Sequence, residues 1–247
     1  MPRLVQLRLL AVCAMALTLL FATAALAMAK APVASLRVVG AGGKLLDEDS
    51  FRLTPVSIKA SPRATCFGAG TGGSGKTVSV KSPSALSMLV QASKSTPALR
   101  PLQLTDAFSF GSGLCNVGRS KATRKLSWYL KVNHVEPAVG GESVKVHAGD
   151  EVLWALEPYP YPEELSLVAP PVVSAGEPFE VQVFGYNQKG KRKPVAGAVV
   201  TGAEAPTGSD GRATVVLQKA QTLFARHGED IPSNGAFVCA GGAGALC

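Results

Sequence analysis

The stretch Leu126-Ser-Trp-Tyr-Leu-Lys-Val132, together with Val152-Leu-Trp-Ala-Leu156, decides the predicted fold. In both segments a large apolar residue occupies every second position, which is the period of a β-strand with one buried face. Val144 and Val146 continue this period between them, and glycine-containing turns separate the three segments. The pattern therefore predicts three antiparallel strands that share one buried face.

One helix is predicted upstream of these strands. Ser82 followed by Pro83 is typical of a side-chain N-cap and a proline at the first helical position. Apolar residues then recur at helical spacing, so we expect the helix, residues 83–94, to pack one face on a core. Helix and strands together predict a small α+β domain over residues 35–158.

The segment Glu157-Pro-Tyr-Pro-Tyr-Pro162 is stiff and non-helical, and we place a domain boundary there. Beyond it, short β patterns alternate with turn residues, which favours a compact β-sandwich over residues 163–239 and a tail at 240–247. The predicted strands are Leu165–Val168, Phe179–Tyr186, Ala198–Thr201, Ala213–Leu217, Leu223–His227 and Phe237–Cys239. The predicted fold class is thus mainly β with one α+β domain.

The N-terminus has the pattern of a secretory signal peptide. Arg3 and Arg8 precede an almost wholly apolar run that ends in the small-residue motif Ala25-Leu-Ala27. We predict a signal peptide over residues 1–29 and a secreted or extracytoplasmic protein. The alternative is an uncleaved anchor, since an apolar run of about 20 residues can span a bilayer; the protein would then contact a membrane.

Four cysteines follow the signal, and an even number in an exported chain indicates disulfides. Of three possible connectivities we predict Cys66 with Cys115 and Cys239 with Cys247. Zinc binding is the alternative, but the chain has no C-x-x-C spacing and its three histidines are scattered. We therefore expect no metal site.

The string Gly70-Thr-Gly-Gly-Ser-Gly-Lys-Thr77 matches the phosphate-binding loop pattern letter for letter. That chemistry needs a buried strand before the loop and a helix that begins at the lysine. Here a strand pattern follows Lys76 instead, and the predicted helix begins only after Pro83. We expect a flexible loop and no nucleotide.

The formal net charge of +8 is compatible with an anionic partner such as a cell-envelope polymer. Two clusters of basic residues carry much of this charge, but they lack interleaved aromatic residues, so nucleic acid is not an expected partner. The clusters are Arg119, Lys121, Arg124 and Lys125, and Lys189, Lys191, Arg192 and Lys193.

Two segments resemble known families. Ser127-Trp-Tyr-Leu-Lys-Val-Asn133 and Val144-Lys-Val-His-Ala-Gly-Asp-Glu-Val-Leu-Trp154 resemble the "W-Y-x-x-V-N-G … G-D-x-[IV]-x-W" end of the transcobalamin-like C-terminal domain family, over roughly residues 35–158. The resemblance implies a small α+β domain, which in animal carriers closes over cobalamin. His134 replaces the family's glycine and the carriers' helical domain has no counterpart, so we expect no cobalamin and no other cofactor.

The second resemblance lies in Pro194-Val-Ala-Gly-Ala-Val-Val200 and Gly208-Ser-Asp-Gly-Arg-Ala-Thr-Val-Val-Leu217. These segments are similar to bacterial Ig-like and carboxypeptidase-regulatory-like modules, which implies an Ig-like β-sandwich after the transcobalamin-like domain. Such modules are usually spacers or stalks. Asp210-Gly211 would supply a tight turn between two alternating strands.

A ligand platform is predicted at Trp128, Tyr129, Asn133 and Trp154, because aromatic rings beside an amide suit an unknown small molecule. Strand alternation places Tyr129 opposite the tryptophans, so we expect it to be the most exposed of the aromatic residues. The leading hypothesis is an exported, non-catalytic binding or surface-display protein. The alternatives are a structural envelope spacer and an exported hydrolase that uses His227 with Glu229 or Asp230.

Overall fold

A computed structural model describes residues 33–241, except positions 65, 67, 69, 81, 82 and 110. The predicted signal peptide and the residues after 241, Cys247 among them, lie outside the described residues. The fold is mainly β, as predicted, with one α-helix, α1 (Ala85–Ser95), in the described part of the chain. No helix in that part is long and apolar enough to cross a membrane.

The strands of the first half, in chain order, are β1 (Val33–Gly40), β2 (Lys44–Arg52), β3 (Val56–Lys59), β4 (Thr77–Val80), β5 (Leu102–Phe108), β6 (Gly111–Val117), β7 (Ser120–Lys121), β8 (Leu126–Val132) and β9 (Glu151–Pro158). The second half contains β10 (Glu164–Val168), β11 (Val172–Val173), β12 (Pro178–Tyr186), β13 (Arg192–Pro194), β14 (Val199–Val200), β15 (Arg212–Val216), β16 (Gln221–Leu223), β17 (Ala225–Arg226) and β18 (Ala236–Ala240).

The central sheet of the first half has the strand order β2-β1-β9-β8. β8 and β9 are antiparallel, with Trp128 opposite Leu156 and Leu130 opposite Trp154. β1 pairs with β9 in parallel and with β2 antiparallel. The predicted antiparallel pairing is therefore confirmed for β8 and β9, whereas alternation alone did not reveal the parallel partner of β9.

The predicted strand at Val144 and Val146 is wrong. Both valines are buried, but their segment is irregular and its strand-like contact is an isolated bridge between Lys145 and Ser84. The backbone of this segment instead bonds the entry of α1, since Ala85 N donates to Val144 O at 3.1 Å. The alternating valines therefore fill the core without belonging to a sheet.

Helix α1 begins two residues later than predicted, at Ala85 rather than Pro83. Its N-cap is Ser84, whose side chain accepts a hydrogen bond from Ser87 N at 3.1 Å, while Ser87 Oγ accepts one from Ser84 N at 3.0 Å. This reciprocal pair satisfies two amides of the first turn, which explains why the helix begins there. Most of α1 is buried against the central sheet.

Both faces of the central sheet are buried, which corrects the prediction of a single buried face. On what we call the helix face, side chains such as Leu36, Trp128 and Leu156 form one core with α1. On the opposite face, Tyr129 and Leu153 pack in a smaller cluster with Tyr161, from the segment between β9 and β10, and with Ile231 of the second half of the chain. The second half therefore covers the face that alternation predicted to be exposed.

The second half has its own hydrophobic core, formed by residues such as Leu165, Val183, Val215, Leu223 and Val238. β12 pairs with β10, β13 and β15, and β18 pairs with β11 and β16. The predicted strand Leu223–His227 is split at Phe224, because β16 pairs with β18 whereas β17 pairs with β14. The other strands predicted in this half all overlap a strand of the structure.

Candidate functional site

One disulfide joins Cys66 to Cys115, with 4.9 Å between the two Cα atoms. This confirms the first predicted pair. Both cysteines are fully buried beside Ala64. A buried disulfide is typical of proteins from an oxidising, extracytoplasmic compartment. The predicted pair of Cys239 with Cys247 lies outside the described residues because Cys247 does.

The glycine-rich string at 70–77 has a structural explanation. A side chain at Gly72 or Gly73 would collide with the backbone of residues 60–62, since an added Cβ would lie 2.4 Å from Pro62 O or 2.8 Å from Ser61 N. Strand β4 follows the string, and α1 begins only at Ala85. The amides of a helix N-terminus, which a phosphate loop aims at its ligand, are therefore far from Lys76 in sequence.

Three of the four predicted site residues line one cavity, which we call the aromatic cavity. Its volume is about 250 Å³. The aromatic residues of its wall lie on β5, β8, β9 and the segment before β10, and Leu86 of α1 joins them. They are Phe108, Trp128, Tyr129, Trp154 and Tyr161.

The two indole rings are held in fixed positions. Trp128 Nε1 donates to Cys115 O at 3.2 Å, and Trp154 Nε1 donates to Ala85 O at 3.3 Å. Gly141 lies directly against Trp154, because a Cβ added there would be 2.6 Å from the ring atoms Cη2 and Cζ2. Since both indole N–H groups are satisfied within the protein, the rings can offer a ligand their apolar surfaces.

Tyr129 is less exposed than predicted. It does point away from the tryptophans, but it is 2% exposed, less than Trp154 at 5% and Trp128 at 9%. The reason is that Tyr161 stacks on it, with ring centroids 4.0 Å apart. Its hydroxyl is buried without a hydrogen-bond partner in the described part of the chain. Burial, followed by the nearby carboxylate of Glu136, raises the pKa of this hydroxyl.

Asn133 lies outside the aromatic cavity and holds a turn. Its Nδ2 donates to Asp150 Oδ1 at 2.8 Å, and its Oδ1 accepts from Glu151 N at 2.9 Å. Asn133 and His134 both adopt positive φ angles, of 50° and 67°. A glycine would meet no steric penalty at position 134, which gives a physical reason for the glycine expected there.

A cluster of charged residues, not foreseen from the sequence, lies on the opposite face of the central sheet. Glu164 is at its centre and is 2% exposed. Its carboxylate is 2.5 Å from Arg37 Nη2, 3.0 Å from Lys131 Nζ and 3.1 Å from His134 Nδ1. We call Arg37, Lys131, His134 and Glu164 the charged cluster.

Backbone carbonyls complete the charged cluster. Arg37 Nη1 donates to Pro232 O at 2.7 Å, and Lys131 Nζ donates to Tyr186 O at 3.2 Å. His134 stacks on the ring of Tyr186 at 3.8 Å. The buried cations thus reach acceptors as well as one carboxylate, as buried charges require.

The electrostatics of the cluster depend on Glu164. Burial alone would raise the pKa of its carboxyl, but contacts with His134, Arg37 and Lys131 outweigh burial and lower the pKa to about 2. Burial also lowers the pKa of Lys131, against the opposing effect of Glu164. Glu164 is therefore the counter-charge that allows both cations to be buried.

His227 has an acidic partner, as the hydrolase alternative supposed. Its Nδ1 lies 2.8 Å from Asp230 Oδ2 on an exposed loop. Among the described residues no serine, threonine or cysteine side chain is hydrogen-bonded to His227. A pair of this kind has an oriented imidazole but lacks the nucleophile that a hydrolytic triad needs.

In the described ranges, no group of three or more His, Cys, Asp or Glu residues is arranged to hold a metal ion. Comparisons with protein-family models, curated proteins and solved structures found no match to this chain.

Proposed function

We propose that the chain is an exported, non-catalytic binding protein of the cell envelope and that it holds a small molecule in the aromatic cavity. The observation that carries the proposal is that five aromatic residues line one cavity. Pockets lined mainly by apolar and aromatic groups, with a few polar ones, are typical of small-molecule sites.

The size and charge of the aromatic cavity narrow the class of ligand. At about 250 Å³ it is below the roughly 300–1,000 Å³ of pockets for drug-sized ligands, so the proposed ligand is compact. Glu136 is the one charged residue among the described residues of its wall. An uncharged, apolar or aromatic ligand fits this wall better than an anion does.

The family resemblance supports the same proposal. Its motif residues Trp128, Tyr129 and Trp154 lie on β8 and β9, the strands that form one wall of the aromatic cavity. Under this proposal the first half is a transcobalamin-like binding domain with a ligand other than cobalamin. The second half is an Ig-like module that displays it, and the basic charge favours retention on anionic envelope polymers.

The cavity can be tested by fluorescence, because the only two tryptophans of the chain, Trp128 and Trp154, both line it. We expect the neutral fluorophore N-phenylnaphthylamine to quench tryptophan emission saturably, at one site per chain. Ser112→Phe, at the cavity wall, is expected to weaken this binding at least tenfold by filling the space. Unfolding midpoints of each protein would show that the variant is folded.

Ser57→Phe is the matched control, since Ser57 is an exposed strand serine outside the aromatic cavity. It is expected to bind the probe as the unmodified chain does. Equal binding by both variants, or no saturable quenching at all, would contradict the proposal and favour a structural spacer. Mass spectrometry of small molecules that co-purify with the native protein, but not with Ser112→Phe, would identify the ligand.

A further inference from the structure

A second cavity, of about 380 Å³, lies beside the C-terminal end of β9. We call it the proline cavity. Its wall is about equally apolar and polar: Leu156, Pro158, Pro160 and Pro232 are among its apolar residues, and three carboxylates, Glu157, Glu229 and Asp230, line it as well. The function proposed above for the aromatic cavity does not involve the proline cavity.

Glu157 is the unusual residue of the proline cavity. It is only 8% exposed, yet no hydrogen bond or ion pair to its carboxylate is present among the described residues. Burying a carboxylate without a partner is costly, and buried charges in proteins are normally paired. Burial, and then repulsion from Glu229, raise the pKa of Glu157 to about 7.

The other charged groups around Glu157 do not neutralise it. The carboxylate of Asp230 is engaged by His227 at 2.8 Å. Arg226 lines the cavity, but it is exposed and forms no ion pair within the described part of the chain. The proline cavity therefore combines a group of apolar wall residues with a buried carboxylate that has no ion-pair partner among the described residues.

We propose that the proline cavity binds a small organic cation, with its ammonium group at Glu157 and its alkyl part against the prolines and Leu156. An ammonium supplies up to three N–H donors and the missing positive charge. A divalent metal ion would need six or more oxygen ligands, and the described carboxylates of the cavity are not grouped so as to hold one. Glu229 and Asp230 add further negative charge at the cavity.

The probe is pentylammonium, with pentanol as its uncharged counterpart, titrated into the full chain by calorimetry. We expect pentylammonium to bind at least tenfold more tightly than pentanol at pH 8. Since Glu157 must lose its proton first, affinity should rise roughly 30-fold between pH 5.5 and pH 8, while the ligand keeps its own charge. Glu229→Gln should weaken binding a few-fold.

Glu157→Gln is the decisive variant, expected to lose at least tenfold in affinity and the pH dependence together. It removes a carboxylate that burial disfavours, so it should fold at least as stably as the unmodified chain, which circular dichroism and thermal unfolding would verify. Glu177→Gln, an exposed glutamate elsewhere, matches the change in net charge and should bind normally.

Equal affinity for pentanol, undiminished binding by Glu157→Gln, or Glu157-dependent binding of Ca²⁺ or Mg²⁺ would each overturn the proposal. None of these results would bear on the aromatic cavity, whose probe is neutral and whose variants lie elsewhere.

Discussion

The two faces of the central sheet are built from the same strands, yet they are buried by different means. On the helix face, side chains such as Leu36, Trp128, Leu130 and Leu156 pack with α1, and in the described part of the chain no charged side chain is buried on this face. On the opposite face the same strands present Arg37, Tyr129, Lys131 and Glu157, covered by the second half of the chain. One face is stabilised by removing apolar surface from water, and the other requires its charges to be matched.

The difference teaches where sequence patterns are informative. A sheet face that packs on an apolar helix can be recognised from the sequence of its strands, because large apolar residues alternate there. The other face carries polar residues whether it meets water or a matching partner, so its own pattern does not distinguish the two. Lys131 is 1% exposed only because Glu164 and the carbonyls of residues 186–187 lie against it.

Removing the counter-charge should have the largest effect on the opposite face. Glu164→Gln leaves Arg37 and Lys131 buried without a carboxylate, and we expect a loss of about 3–5 kcal/mol in the free energy of unfolding. The neighbouring Glu163→Gln removes only a partly exposed pair with Lys193, at 2.9 Å, and should cost only a small fraction of that loss. Urea unfolding of both variants measures the contrast; equal losses would contradict it.

The same residue predicts a pH dependence. Because folding lowers the pKa of Glu164 from its ordinary 4.5 to about 2, the unfolded chain binds more protons between these values. Its stabilisation is therefore complete above pH 4.5 and is lost as the pH falls towards 2. Glu164→Gln should lack this part of the acid destabilisation, so its deficit relative to the unmodified chain shrinks in acid.

The helix face should respond to a lost side chain independently of pH. Leu36→Ala leaves a cavity beneath α1, since Leu36 is fully buried, and we expect a loss of about 3 kcal/mol at every pH between 4 and 8. Val139→Ala is the control, because Val139 is 54% exposed, and should change stability by less than about 0.5 kcal/mol. A loss of stability in Leu36→Ala that depends on pH would contradict this difference between the two faces.

Glu157 tests the opposite face in a second way, because its carboxylate is buried there without an ion-pair partner among the described residues. A folded-state pKa of about 7 means that the folded chain retains a proton which the unfolded chain loses above 4.5. Stability is therefore penalised progressively from pH 4.5 to 7 and fully above 7. Glu157→Gln should be more stable by about 3 kcal/mol at pH 8 and unchanged near pH 4.

The smallest expected effect is at Gly141, where the helix face meets the aromatic cavity. Gly141→Ala should press on the ring of Trp154 and cost about 1 kcal/mol, with a shift in tryptophan emission. Gly140→Ala, whose added Cβ would meet nothing within 4 Å, should change neither stability nor emission. Identical spectra for the two variants would show that Trp154 does not depend on this contact.

The sequence predicted most of what local patterns determine. The disulfide of Cys66 and Cys115, the strands β8 and β9 and the presence of one helix are confirmed, as is a mainly β second half. Capping chemistry favoured Ser82 on the strength of the following proline, whereas the hydrogen-bonded pair is Ser84 with Ser87. The valines at 144 and 146 alternate because they are buried, not because they belong to a strand.

The features that the sequence did not predict depend on contacts between residues far apart in the chain. Alternation does not say whether β1 joins β9 in parallel, nor that Tyr161 would cover Tyr129. At the candidate site, three aromatic residues predicted together do share a cavity, while Asn133 is engaged in its turn. Whether the cavity binds a ligand stays a prediction. The one available signal for the charged cluster was Lys131 itself, a cation in the middle of an otherwise core-forming strand.

The hydrogen bond from Arg37 to Pro232 O also constrains the order in which the fold forms. The guanidinium and the carbonyl that receives it are 195 residues apart, and Glu48 accepts from Gly235 N over 187 residues. Contacts of such long range form slowly, because a long loop must close before they can contribute. In a chain that is synthesised from its N-terminus, the contacts of β1 and β2 with this region therefore cannot form until Pro232 and Gly235 have been made.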